Sequence, residues 1–401
     1  MSEKQTPIGL HDLSAAATGP DLDGVTKERN AWLELDLVAL EENLEILRRA
    51  MGSDVEIIAV VKANAYGHGA IGIACELERL GVDRLAVAWA AEGHALRKAG
   101  VRTPILVLGH SYSSDAAAAV ANDLTLTCHS EALGAALSQE AQVQGKTALV
   151  HLKVDTGLHR FGVSLEEATR LAEALRGLPR LTVEGLSTHM ANADEGDDSF
   201  SVEQAAVFDE ALRRMPWVPF RHVANSATAF RRSELRYSGV RCGLSLYGVT
   251  PQNTLIPGLT PVLSLRARVA RISQIEEGDG VSYGLAWRAG RRSVLALVPV
   301  GYADGWPRAL SGRVAVLIGG TWWPAVGRIA MDQFIVDVTG GPEMAEGDVV
   351  TLIGDDGGER LGAGDVADLC GSIPWEIMAG LGQRLPRVFH RRGNVEDVFC
   401  D

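Results

Sequence analysis

From residue 55 to about 245, short apolar runs alternate with stretches of helical period. The runs that predict strands are 55–61, 84–88, 105–108, 124–127, 147–154, 181–187, 221–224 and 237–240. Between them lie segments such as "LEEATRLAEALRGL" (165–178) and "VEQAAVFDEALRRM" (202–215), in which apolar residues recur every three or four positions, as on one face of a helix. Strand–helix alternation implies parallel pairing, and eight such units close into a (β/α)8 barrel; a doubly wound open sheet is the competing arrangement. After Pro261 the texture changes. "VLSLRARVARISQI", "SVLALVPVGY", "RVAVLIGG", "QFIVDV" and "DVVTLIG" read as strands separated by Gly, Asp and Pro turns.

The expected fold class is therefore α/β, a TIM barrel followed by a mostly-β C-terminal domain. The boundaries are an N-terminal extension over 1–28, a barrel over 29–260, a β-rich domain over 261–395 and a tail over 396–401. The alternating "AWLELDL" (31–37) is a strand candidate for pairing with the second domain. Helical period returns only at 363–369 and 375–381.

With 401 residues the chain is long enough for a large barrel plus a smaller domain. A net charge of −13 argues against a nucleic-acid or anionic-membrane partner, both of which need a cationic face. Five scattered cysteines without a C-x-x-C pair fit a reducing cytoplasmic compartment and no zinc site. The apolar runs are strand-sized, well short of the roughly 20 residues of a membrane span, and the polar first 28 residues lack the features of a signal peptide.

The chemistry of a barrel gathers where its strands end. The predicted first strand runs into Lys62 and the glycine-rich "KANAYGHG". The fifth carries Lys153, Asp155 and Arg160; the sixth His189 and Asn192; the seventh Asn225 and Ser226; the eighth Arg241 and Gly243. Alone, each has a structural reading: a solvated lysine, a satisfied histidine, a helix-capping serine or a surface ion pair. Together they place several cations, a histidine and a hydroxyl on one face of an acidic protein. The loops after the last two strands, with Ser226 and the amides of 242–244 around a glycine, suit phosphate. A lysine facing a phosphate site is the layout that pyridoxal phosphate requires.

These segments resemble the alanine racemases. The resemblance rests on "AVVKANAYGHG", "HLKVDTGLHRFGV", "STHMANADE", "HVANSAT", "VRCGLSLYG", "EGDGVSYGLAW", "VPVGYADGWPRAL" and "VGRIAMDQFIVDV", in order, over about residues 31–392. It implies a pyridoxal-phosphate enzyme that interconverts L- and D-alanine, supplies D-alanine for peptidoglycan, and forms a head-to-tail homodimer with shared active sites. Lys62 is similar to the cofactor-binding lysine that serves as one base, and Tyr283 to the opposite base, supplied by the partner chain. Tyr66, Ser226, Gly243 and Leu244 match the phosphate contacts, and Asn225 lies beside them. Arg160, Met331 and Tyr302 match substrate-side positions, and Lys153 matches a lysine carbamylated in several members. His189 and Arg241 resemble the pair that tunes the tyrosine. Because arginine keeps its proton, Arg241 can only donate to the cofactor's ring nitrogen, which weakens the ring as an electron sink and favours racemisation.

Three departures bear on specificity: Ala330 where some members carry cysteine, Gln383 where some carry tyrosine, and Trp306. Gln383 and Trp306 are expected to alter access or side-chain tolerance. A racemase of broader range, acting on serine or basic amino acids, is the main alternative. A decarboxylase of related fold and a barrel-only cofactor carrier rank lower, since the first carries an acid where Arg241 stands and the second lacks a second domain.

Overall fold

The structure, a computed structural model, describes residues 29–251 and 253–399, and the extension expected over 1–28 lies outside them. Eight parallel strands form one sheet: β2 (Glu56–Val60), β3 (Arg84–Val87), β4 (Ile105–Val107), β5 (Leu124–Cys128), β6 (Ala148–Lys153), β7 (Leu181–Ser187), β8 (Phe220–His222) and β9 (Gly239–Cys242). β2 pairs with both β3 and β9, so the sheet curls on itself. Between β8 and β9 the seam is held by a parallel bridge, Asn225 to Arg241, and by backbone bonds from Ser238 to Arg221 and from Arg241 to Ala224. The barrel expected from the alternation is present, nearly closed; the open doubly wound sheet is not.

Helices between the strands bury one apolar stripe each. Leu165–Arg176 is representative: Ala168, Leu171, Ala172 and Leu175 are buried, and Ser164 and Glu167 form a reciprocal capping box at its start. Most strand ends differ from the predicted ones by one residue, and those of the last two strands by up to two. The first strand stops at Val60, two residues before Lys62, because the chain there enters a left-handed turn. The seventh is 220–222 rather than 221–224, and the eighth is 239–242 rather than 237–240. Those two strands are short and end in polar residues that point to function, so apolar character is a poor guide to their limits.

The second sheet has eleven strands. Its members include β10 (Leu263–Arg268) and the strands Ser293–Val298, Thr321–Val326, Phe334–Asp337 and Val349–Asp356, joined mostly antiparallel. β10 alternates strictly, with Leu263, Leu265 and Ala267 buried, as one covered face requires. β1 (Ala31–Asp36) sits in this sheet, antiparallel to β10 and parallel to Arg387–Arg391. Where the pattern predicts a tail from 396, a strand at Asn394–Phe399 pairs with Arg387–Arg391 and carries the sheet on. Among the described residues no helix is long and apolar enough to cross a membrane.

Candidate active site

A cavity of about 860 Å³ opens at the C-terminal ends of the barrel strands. Lys62, Tyr66, Lys153, Arg160, His189, Asn225, Ser226, Arg241, Gly243 and Leu244 all line it. Residues from five separate strand ends thus meet in one place, although they are spread over some 180 positions of sequence.

Lys62 opens a turn of unusual backbone. Ala63, Asn64, Ala65 and Tyr66 have φ of 52°, 53°, 53° and 54°. None of them is glycine, and left-handed conformation costs an L-residue about 1–2 kcal/mol. Compensation comes from outside the turn. One oxygen of Glu92 accepts from the Ala63 amide at 2.7 Å, and the other accepts from the amides of Ala88 and Trp89 at 2.7 and 3.1 Å. Asn64 Oδ1 accepts from the Ala70 amide at 2.6 Å. Arg387, fully buried, donates to the Gly67 carbonyl at 3.0 Å and to carbonyls of 381–385, clamping the turn to the second domain. At Gly67, φ is +84° and an added Cβ would sit 2.0 Å from the Met378 carbonyl, so no other residue fits.

Burial, then Arg160, and to a smaller extent Arg241, lower the pKa of Lys62, while Glu92 opposes them. Burial, then Arg241 and Arg160, bring Lys153 down to about 7. Lys153 Nζ also lies 5.4 Å from the centroid of the Phe161 ring. Both amines therefore have readier access to the neutral, nucleophilic form than a solvated lysine.

Arg241 is buried, and burial lowers its pKa to about 10. Its two terminal nitrogens donate to the carbonyls of Thr188, His222 and Val223 at 2.9, 3.0 and 2.7 Å. They also meet His222 Nδ1 at 2.7 Å and His189 Nδ1 at 3.0 Å. Nε takes part in none of these bonds. Burial first, then Arg241, holds His189 well below the ordinary histidine range. It is neutral, and since Nδ1 receives the arginine, its proton is on Nε2.

The opposite wall suits a phosphate. Ser226 Oγ accepts from the Gly243 amide at 3.3 Å and the Ser245 hydroxyl at 2.9 Å, which leaves its own proton to donate outward. Burial raises the Tyr66 phenol to about 12, so it stays a donor. A Cβ on Gly243 would lie 2.7 Å from Tyr66 Oη, so only glycine lets the phenol close on the backbone here. Asn225 instead caps the short helix Ser226–Arg231 through Thr228. A lysine with a lowered pKa, a hydroxyl cradle closed by glycine and a guanidinium with an unused N–H fit an aldehyde bearing a phosphate and a ring nitrogen.

The remaining sequence candidates fall elsewhere. Tyr283, Tyr302 and Met331 are not among the cavity-lining residues; they lie on the second domain, 71%, 43% and 52% exposed. Tyr302 and Met331 are neighbours, bonded through Ala303 and Ala330. Trp306 is fully buried, stacked on Phe334, so it does not shape access to this cavity, and Gln383 is exposed and outside the lining. Sequence reading missed His222, Glu92, Trp375 and Ala379. His222 directly precedes "VANSAT" and was detectable as a polar residue at a strand end. Glu92 is readable as the third residue of a helix start. Trp375 and Ala379, from a helix of the second domain, carry no such signal.

A barrel whose mouth holds a lysine, a hydroxyl cradle closed by glycine and a guanidinium, followed by a β domain, is the setting of an amino-acid-transforming enzyme of the racemase type. Residues 35–251 match the alanine racemase N-terminal domain and 262–389 the C-terminal domain. An alanine racemase of Halothermothrix orenii is 39% identical over 91% of this chain and 98% of its own. The alanine racemase of Bacillus anthracis, solved with bound L-Ala-P, superposes with a TM-score of 0.87 at 38% identity, over 92% of this chain and 97% of its own. A histidine racemase of Leuconostoc mesenteroides superposes with 0.85 at 30% identity, over 91% and 99%. The chain belongs to the alanine racemase family, and it is an isomerase.

Proposed function

We propose that the protein interconverts L- and D-alanine with pyridoxal phosphate held at the barrel mouth, using one base on each face of the α-carbon. The observation that carries this is the placement of Lys62 on a strained, externally braced turn opposite the Ser226–Gly243 cradle. The cofactor, when bound, acidifies the α C–H of an amino acid by delocalising the charge left behind. The protein's task is then to hold and move protons. Lys62 Nζ, with its pKa lowered, takes or returns the α-proton on one face.

Tyr283 serves the other face. It is exposed on the second domain and outside this chain's own cavity, so a second copy of the chain brings it in. Neutral His189 donates through Nε2–H to the incoming phenolic oxygen and eases its ionisation. Arg160 and the Met331 amide hold the substrate carboxylate, and Tyr302 stands at the entrance. Lys153, down at about 7, is a site for carbamylation, which would turn a cation beside Arg160 into an anion that can hold it. Ser226, Tyr66, Gly243 and Leu244 anchor the phosphate. Incubation with L-alanine in D₂O tests the reading: optical rotation should decay to zero as deuterium enters the α-position. Decay without α-deuteration, or no decay, would refute it. The histidine racemase likeness favours a second reading, a wider substrate range, decided by relative turnover on alanine, serine, lysine and histidine.

A further inference from the structure

Barrel interiors are normally filled by layers of branched apolar side chains. Here only part of the interior is so filled, by Ile58, Val60, Ala86, Leu106 and Phe220. Beside them runs a line of polar side chains from the mouth of the barrel to its floor. Arg241 meets His222 Nδ1 at 2.7 Å; His222 Nε2 meets His151 Nδ1 at 2.8 Å; His151 Nε2 meets Glu184 Oε2 at 3.1 Å. Glu184 receives both terminal nitrogens of Arg84 at 3.0 Å, and Arg84 Nε donates to Glu56 at 2.7 Å. Side-chain exposure is 0% at His151, 20% at Glu184 and 39% at Glu56, so the line leaves the protein at the barrel floor.

The line has one direction. Arginine only donates, so His222 must accept on Nδ1 and carry its proton on Nε2. His222 then donates to His151 Nδ1, and His151 carries its proton on Nε2 and donates to the carboxylate. A donor-only cation and an acceptor-only anion at the two ends leave both imidazoles neutral, each with a single allowed tautomer. Burial keeps both rings below the ordinary histidine range, and His151 and Arg84 hold Glu184 at about 2 against the burial that would raise it.

The sequence makes room for this. At Gly185 a Cβ would lie 2.7 Å from three atoms of the His151 ring. The β6–β7 register shifts between Val150 and His151. Phe220 covers the line, with its centroid 4.5 Å from the Arg84 guanidinium and 5.7 Å from the His151 ring. A buried network of this length is costly unless every member is satisfied.

We propose that His151 and Glu184 are positioning residues for Arg241: through His222 they fix the orientation and hydrogen-bonding direction of the guanidinium that faces the cofactor ring. This rests on the reading of Arg241 as partner of the ring nitrogen. The test is nitrogen-15 NMR of the histidine-labelled, full-length, pyridoxal-phosphate-loaded protein. His151 and His222 are assigned by their loss in His151→Asn and His222→Asn. The expected result is two neutral rings, protonated on Nε2, unchanged over about pH 6–9.

Glu184→Gln keeps an acceptor without the charge, and Gly185→Ala pushes on His151 without touching any charge. Both should shift the absorbance band of the bound chromophore and lower kcat about tenfold, the scale of groups behind a reacting centre, with KM nearly unchanged. A His222 protonated on Nδ1 would overturn the proposal. So would variants that lose stability while band and kcat stay as in the parent. If the protein takes up no pyridoxal phosphate, the cofactor reading fails, and the histidine spectra of the unloaded protein still decide the line.

Discussion

The mouth of the barrel and the core of the second domain are built on opposite principles. At the mouth, four consecutive residues sit in left-handed conformation, and Lys62, Lys153 and Arg241 are gathered in a partly dry space. In the second domain, Val298, Val300, Trp306, Phe334 and Val336 pack with no exposed surface beyond 2% and no special backbone geometry in the strands. The mouth spends stability on placement, and the second domain supplies it through ordinary apolar burial. Among the contacts that join them are Arg387 reaching Gly67 and the Met378 carbonyl against that same glycine. The β domain is thus part of what holds Lys62 in place.

If this division is right, mouth variants change chemistry and spare stability, while second-domain core variants do the reverse. The largest effect is expected for Lys62→Ala, which should lower racemisation by about 10³-fold or more, with loss of the borohydride-trapped cofactor adduct by mass spectrometry. Tyr283→Phe should cost about 10²–10⁴-fold. The two inactive variants, mixed and allowed to exchange subunits, should regain activity, because one site of each mixed dimer pairs an intact Lys62 with an intact Tyr283. No recovery would mean that the sites are not shared.

Trp306→Ala should remove about 3–5 kcal/mol of stability, read by denaturant unfolding, with KM for alanine unchanged in the folded fraction. A changed substrate preference there would restore Trp306 as an access residue.

His68 gives a pH signature from beneath the strained turn. Its Nδ1 lies 3.0 Å from the Tyr66 carbonyl and its ring 4.3 Å from that of Tyr247, and burial lowers its pKa to about 4. Between about pH 6.5 and 4 the unfolded chain binds a proton that the folded protein refuses. Its contribution is therefore complete above 6.5 and is lost as pH falls through the window. The loss should reach about 3 kcal/mol at pH 4, and be absent in His68→Gln, by melting at stepped pH. The smallest effect concerns Lys153. Above about pH 7 its neutral amine should take up CO₂, adding a carbamate mass that disappears in Lys153→Met. An unmodified intact mass in bicarbonate at pH 8 would remove that reading.

The order of elements was legible because apolar period survives in sequence: strand alternation in β10, the helical stripe of Leu165–Arg176, and the change of texture after Pro261. Eight strand–helix units admit few closures, so the barrel followed from counting. Lys62, Ser226 and Arg241 were legible because polar residues at the ends of apolar runs have no packing reason to be there. His151, Glu184 and Arg84 were not. Within a strand a buried histidine or glutamate is indistinguishable in sequence from an outward one, since alternate residues face opposite sides and the register decides which.

The chain alone determined most of the order of elements and their type, because backbone periodicity and side-chain polarity act locally. Tertiary structure alone decided that four non-glycine residues after Lys62 turn left-handed, that Gly185 yields its space to a histidine, and that Tyr283 stays outside its own chain's cavity. Each of those depends on atoms distant in sequence, Glu92 and Arg387 in the first case and a neighbouring strand in the second. A local pattern cannot encode the contact that makes a costly conformation the stable one.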